Sequence, residues 1–218
     1  MSPHLHIAWP YLLLASLLLC LPRQWLRVGR VFAPARRAPK NALEKFSSGP
    51  AQDPSDRSLS LGKELRSKRN YIDILRAAAG GYCLRYFTFV ATDDRAKMQM
   101  LFIQGVLLLV AILIQSIRFE GRFGFFAPCF YYIGLSTGYM SYIVGPFAML
   151  LLFAINPIIP NPRMFVATYG LLLLPLGWLL AEKMEQVNLM TSLVLLPPVL
   201  SLMTRRPMVI YAKKIKHN

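Results

Sequence analysis

The chain has 218 residues, 55% of them hydrophobic, and a formal net charge of +15 at pH 7. Several long, nearly uncharged runs exclude an ordinary water-soluble domain, which has no means of burying them all. In a soluble protein such a charge would point to nucleic acid. Here the basic residues crowd beside the apolar runs, which is the pattern of membrane orientation and of attraction to anionic lipid headgroups. Nucleic acid is therefore not expected as a partner. Cys20, Cys83 and Cys129 share no short spacing and are read as reduced, small hydrophobic residues.

Ile7 to Leu21 is almost wholly apolar and opens beside Trp9, Pro10 and Tyr11, with Arg23, Arg27 and Arg30 directly after it. A cleaved signal peptide carries its positive charge before the apolar run. Residues 1–22 are accordingly predicted to be an uncleaved membrane anchor with its N-terminus outside; a shallow, half-inserted helix is the alternative. Residues 23–58 hold Pro34, Pro39, Pro50 and Pro54 among Ser, Gly, Asp and Lys. They form a basic, Pro-rich linker with no periodic apolar face.

Residues 59–97 are predicted to be a cytoplasmic or interfacial amphipathic region. Leu61, Leu65, Ile72, Leu75 and Ala79 recur near helical spacing, with Lys63, Arg66, Arg69 and Arg76 away from that stripe. Such a helix would lay its apolar side on the membrane surface, or against a neighbouring protein, and end at Gly80-Gly81. Tyr82 to Val90 is too short and, with Arg85, too charged to cross. Thr92-Asp93-Asp94 reads as a helix start, with Thr92 as the cap.

Residues 98–203 are predicted to form a four-helix membrane domain. Met98 to Ile117 is uncharged and 20 residues long, the length a crossing needs. Its Gln104 lies deep and is expected to bond across to another helix. After the polar turn Arg118–Arg122 comes Phe123 to Ile155, thirty-three residues without a charge. Its opening aromatics, Phe123 to Tyr132, suit an interfacial belt. Gly134 and Gly138 make a small-xxx-small spacing that lets a partner helix approach, with Ser136 and Thr137 beside them. Gly145-Pro146 is the expected kink. The segment is either one long bent helix or a tight helical hairpin, and a single crossing is preferred on charge. Asn156 to Pro162 is a stiff connector. Met164–Ala181 and Val187–Met203 are the last crossings, with kinks expected at Pro175, Pro197 and Pro198. Residues 204–218 form a basic cytoplasmic tail that includes Arg205 and Arg206.

From Pro22 to Lys97 there are 16 Lys or Arg and 7 Asp or Glu, and the tail has 5 basic and no acidic residues. The positive-inside rule places both on the cytoplasmic side. Residues 118–122 then face outside. The fold class is thus an all-α polytopic membrane protein with about five transmembrane helices, N-terminus outside, C-terminus inside, and a cytoplasmic amphipathic helix.

Histidine occurs only at His4, His6 and His217, which leaves no pair of facing intramembrane ligands for haem. No acidic residue falls inside a predicted span, where a coupled carrier usually holds one. No phosphate loop, HExxH, CxxC or GxSxG pattern appears. Glu64, Arg66, Arg69, Asp73, Arg76, Arg85, Asp93 and Asp94 are the only polar set near a membrane face, and they are read as solvated charge. No cofactor and no metal are expected. The expected function is a non-catalytic accessory or assembly subunit of a larger integral-membrane complex. In that role Gly134, Gly138, Gln104, Ser136 and Thr137 pack against partner helices, while Arg23, Arg27, Arg30, Arg66, Arg69, Arg76, Arg205 and Arg206 touch anionic headgroups or an acidic surface. The alternative is a small transporter or lipid-modifying enzyme that uses the kinked central helix. The expected location is a bacterial inner or plasma membrane, or an organellar inner membrane.

Overall fold

The computed structural model of the chain describes residues 5–22, 68–119, 123–159, 161–181, 183–206 and 208–209. Seven α-helices make up most of them: α1 (Trp9–Cys20), α2 (Lys68–Tyr86), α3 (Asp94–Ser116), α4 (Cys129–Tyr139), α5 (Val144–Ile155), α6 (Pro162–Leu180) and α7 (Met184–Met203). Three of these, α3, α6 and α7, are long and apolar enough to cross a membrane. Local chemistry sets several starts. Asp93 accepts from the Ala96 amide at 2.9 Å, so Asp93, not Thr92, caps α3. Asn161 accepts from the Met164 amide at 2.9 Å, and Pro162 fills the first position of α6, where its missing N–H has no helical partner to lose.

Short strands tie the helices at two ends. At the near end β1 (Leu5–Ile7) pairs antiparallel with β2 (Phe89–Ala91), joining the start of α1 to the α2–α3 connection. At the far end β3 (Ile117–Phe119) pairs antiparallel with β4 (Phe123–Phe126), and β4 pairs parallel with β5 (Met208–Val209). α6 and α7 run antiparallel, Gly177 facing Val187 and Gly170 facing Val194 and Leu195. α3 runs from the near pair of strands to the far one.

α4 is the core. Ten of its eleven residues are buried, and its closest neighbour is α2, which runs parallel to it. A Cβ on Gly134 would stand 2.8 Å from the Ile74 Cα, and one on Gly138 would stand 2.9 Å from the Ala78 Cα. Gly81 answers from α2 against the backbone of Leu135, Gly138 and Tyr139. The backbones therefore touch.

Four expectations need correction. First, α2 is not a surface-lying helix that stops at Gly80-Gly81. It continues to Tyr86, because the paired glycines are contact points with α1 and α4 and not terminators. Second, the central segment is neither one helix nor kinked at Gly145-Pro146. It breaks over 140–143, and α5 folds back along α4, with Gly145 against Ser136 and Thr137 and Met149 beside Cys129 and Tyr132. Pro146 is the third residue of α5, in the first turn, where no intrahelical donor is lost. Helices of 11 and 12 residues rise only about 17–18 Å each, short of the roughly 30 Å of a bilayer core. Third, β4, which follows residues 118–122 in the chain, is hydrogen-bonded to β5 near the C-terminus, whereas the expected topology set that connection and the tail on opposite sides. Fourth, Phe125, Phe130, Tyr131 and Tyr132 are buried and form no surface belt.

Candidate functional site: an inward-facing polar core

The side chains able to carry chemistry lie mainly on one face of α2 and around the ends of the helices it meets. Asn70, Asp73, Arg76 and Arg85 are buried at 1–7% exposure, whereas Leu75 is 69% and Tyr82 49% exposed on the opposite face, with Ile72 and Tyr86. In water this polarity would be inverted, since burying a charge costs far more than burying a leucine. α2 is amphipathic with its polar side inward.

The inward groups converge on main-chain carbonyls where helices stop. The last four carbonyls of any α-helix lack intrahelical donors. At the end of α1, Arg76 donates through Nη1 to the Leu21 carbonyl and lies 3.3 Å from Asp73 Oδ1 through Nη2. Gln115 Nε2 donates to Leu21 O at 2.8 Å and to Leu19 O at 3.3 Å, and the Tyr131 hydroxyl donates to Leu19 O at 3.1 Å. The Arg76 guanidinium also sits 5.5 Å from the Tyr131 ring centre, within cation–π range. α1 has no basic residue in its last turn, so α2 brings the cation that its C-terminal dipole favours.

The end of α4 repeats the device. Arg85 donates through Nη1 to the Met140 carbonyl at the break and packs 4.6 Å over Tyr86. Beside it, Gln104 donates to Leu84 O at 3.0 Å and accepts from the Tyr139 hydroxyl at 2.8 Å. On the other side of α4, the Ser136 and Tyr169 hydroxyls lie 2.6 Å apart, and Tyr169 reaches Gly145 O at 3.4 Å. Thr137 bonds back to Ile133 O at 2.6 Å, and the Ser116 and Tyr132 hydroxyls meet at 2.7 Å. The gap between α4, α5 and α6 has no room for a water molecule. Gln186 Oε1 and Thr191 Oγ1 on α7 are buried with no hydrogen-bond partner within the protein.

The residues singled out from the sequence distribute as follows. Gly134, Gly138, Gln104, Ser136 and Thr137 come together on and around α4, and what they meet is this chain's own α2, α3, α5 and α6. Pro175 lies inside α6, and Pro197 and Pro198 lie inside α7, each helix continuing past them. Arg76 is not a headgroup contact, because it is 6% exposed and bonded inward. Arg69 is exposed, as are Arg205 and Arg206 at the far end. Arg23, Arg27, Arg30 and Arg66 lie outside the described residues. Asp73, expected as solvated charge on the 59–97 region, is buried at 1% exposure. Arg85 is likewise buried and not the solvated charge expected of it, and Tyr131 is buried and not part of a belt; sequence reading gave Asn70, Gln115, Tyr139 and Tyr169 no bonding role. The available signal was the spacing Asn70, Asp73, Ala77, Gly80, Leu84, a polar-and-small face at helical period.

The fold and core define a class: a mainly α-helical bundle with apolar outer faces, a hydrophobic core that holds a set of buried polar groups, and a folded-back pair of short helices. Compared with protein-family models, with curated proteins and with solved structures, the chain matches none of them. Among the described residues, no three His, Cys, Asp or Glu side chains come close enough to share a metal ion.

Proposed function

We propose that this chain is an integral-membrane protein in which β1 and α1 together, α2, α3, α6 and α7 cross the bilayer and the α4–α5 hairpin re-enters it, N-terminus outward and C-terminus inward; α1 alone has 12 residues and reaches from the near end to the far end only with the extended β1 before it. We propose further that it serves as a non-catalytic accessory or assembly subunit of a larger membrane complex. The reversed polarity of α2 carries the membrane reading: leucine and tyrosine outward, aspartate and arginine inward, suits lipid and not water. Charge supports the orientation. The segments that lie at or leave from the far end, residues 22–76, 117–128, 156–163 and 204–218, hold 21 basic and 6 acidic residues, a net of +15. Those at the near end, 85–97 and 182–185, hold four of each. That asymmetry supports a far end in the cytoplasm or its organellar equivalent. The subunit reading draws on how the interior polar groups are used. Arg76, Arg85, Gln104, Gln115, Tyr131 and Tyr169 each bond a main-chain carbonyl of this chain, so they organise helices and present no reactive constellation.

Two experiments test these readings. In a variant with Cys20, Cys83 and Cys129 replaced by alanine, single cysteines at Lys183 and Arg205 should label from opposite sides. Labelling of Lys183 and Arg205 from one side sinks the topology. Purification at native abundance in mild detergent should yield a stoichiometric set of larger membrane proteins, and a lone monomer sinks the subunit reading. The transporter or lipid-enzyme reading draws on Gln186 and Thr191, buried polar groups with no protein partner. It requires that their apolar replacements abolish a measurable transport or lipid activity.

A further inference from the structure

We propose that the far end of the α6–α7 hairpin is a seat for the phosphodiester of an anionic phospholipid, contacted by Arg163, Arg205 and Arg206. The inference rests on the membrane reading above. Three observations carry it. Arg163 does not wave in solvent: its Nε donates to Ser201 Oγ at 3.1 Å and its Nη2 to the Arg206 carbonyl at 2.9 Å. The Ser201 hydroxyl donates to that same carbonyl at 2.6 Å. The guanidinium is thus oriented by α7 before any ligand arrives, and a fixed planar fork is the geometry that binds phosphate in two places at once.

The second observation is the way α7 ends. The Arg206 amide closes back on Ser201 O at 3.1 Å and the Arg205 amide on Leu202 O at 3.0 Å, with Arg205 at φ 53. This is the left-handed helix stop at which glycine is strongly favoured. Here it holds an arginine, and the turn leaves Arg205 and Arg206 exposed beside Arg163. The third observation is position. α6 has 19 residues and rises about 28 Å, close to the thickness of the hydrocarbon core. A cation in its first turn is therefore at headgroup depth, at the same end as the exposed Arg205 and Arg206.

The test uses the full-length protein in phosphatidylcholine nanodiscs with and without phosphatidylglycerol, reading the thermal midpoint and, after transfer to detergent, the lipid retained by native mass spectrometry. Wild type should retain phosphatidylglycerol in preference to phosphatidylcholine and be stabilised by it. Retention should fall roughly fivefold for each arginine removed in Arg205→Gly and Arg206→Gln, while Lys183→Gln at the near end changes nothing. Arg205→Gly keeps a fold defect from mimicking the result, because glycine suits that backbone: its midpoint in pure phosphatidylcholine should rise as its phosphatidylglycerol retention falls. Equal retention of the two lipids by wild type, undiminished retention in the variants, or stabilisation by inorganic phosphate alone each overturns the proposal. Extraction of the protein from membranes by alkaline carbonate would instead overturn the membrane reading. A carbonate-resistant protein indifferent to phosphatidylglycerol removes only the lipid seat.

Discussion

Replacing Gly134 or Gly138 with alanine tests the α2–α4 contact most sharply. In α4 the new Cβ would lie 2.8 Å from the Ile74 Cα in the first case and 2.9 Å from the Ala78 Cα in the second. Carbon atoms pack at about 3.5–4.0 Å. The obstacle is backbone, which no rotamer change removes, so the helix axes must part by roughly 1 Å. Overpacking of this kind costs about 1–3 kcal/mol, against a helix-propensity gain of up to about 1 kcal/mol for glycine to alanine. Each single variant should therefore lose about 1–2 kcal/mol. One displacement of α2 relieves both clashes, so the double variant should lose clearly less than the sum. Gly105 is the internal control. Its Cβ would meet only the tip of Leu189 at 3.3 Å, and Gly105→Ala should be neutral or stabilising. The assay is reversible unfolding in mixed micelles by titration with a denaturing detergent, followed by helical circular dichroism. If Gly138→Ala matches Gly105→Ala, α2 does not lie against α4 and the core described above is wrong.

Other perturbations separate the roles of the buried polar groups. Arg85→Met removes the donor to the Met140 carbonyl at the helix break. A lost charged hydrogen bond costs about 1.5–3 kcal/mol, and hydrogen exchange should rise first around 138–143. Gln104→Leu leaves the Tyr139 hydroxyl and Leu84 carbonyl without their partner and should destabilise by about 1–3 kcal/mol. Gln186→Leu and Thr191→Val delete groups with no protein partner, and should be neutral or stabilising in the same unfolding assay. Destabilisation by the α7 pair would mean that those side chains hold something the helices alone do not supply.

What the sequence made legible follows hydropathy. α3, α6 and α7 were readable because each is an uncharged run of crossing length, and the broken nature of 123–155 was one of two readings its length allowed. α2 was not readable. Its apolar stripe of Ile72, Leu75 and Ala79 was seen, but a stripe does not say whether it faces lipid or protein, and charges on the other face are usually taken to be wet. That one ambiguity propagated. With α2 on the surface, α3 would leave from the cytoplasmic side; with α2 packed inside the bundle that starting side is no longer given, and β4 is found paired with β5. Among the site residues, Gly134 and Gly138 were legible as a close-packing face, but their partner was sought in another protein because α2 was not counted as a helix able to pack there. The tyrosines were missed for a related reason. Interfacial preference describes an average tyrosine, whereas Tyr131, Tyr139 and Tyr169 each have a hydroxyl partner in the core and so lose little by burial.

The inverted polarity of α2 has a consequence for how the chain enters a membrane. An aspartate or arginine near the middle of a lone inserted helix costs about 2.5–3.5 kcal/mol, while each leucine or isoleucine returns only about 0.3–0.6 kcal/mol. Within α2, Asp73 and Arg76 lie well inside the helix, against two isoleucines and two leucines. Alone, α2 should not insert. In the folded chain the balance shifts, because Arg76 and Asp73 face each other and the end of α1, and Arg85 faces the end of α4. On the topology proposed above, insertion of α2 is then coupled to the prior presence of α1 and to docking of α4. Glycosylation mapping measures this directly: α2 placed by itself in a host membrane protein should remain uninserted, whereas α3 in the same host should insert efficiently. Within the full chain, acceptor sites after α2 should be modified, and Arg76→Ala should raise the insertion of isolated α2 while weakening the hold on α1 in the complete protein. Efficient insertion of isolated wild-type α2 would show that the buried charges are tolerated without their partners, and the helix-capping account of the core would lose its physical basis.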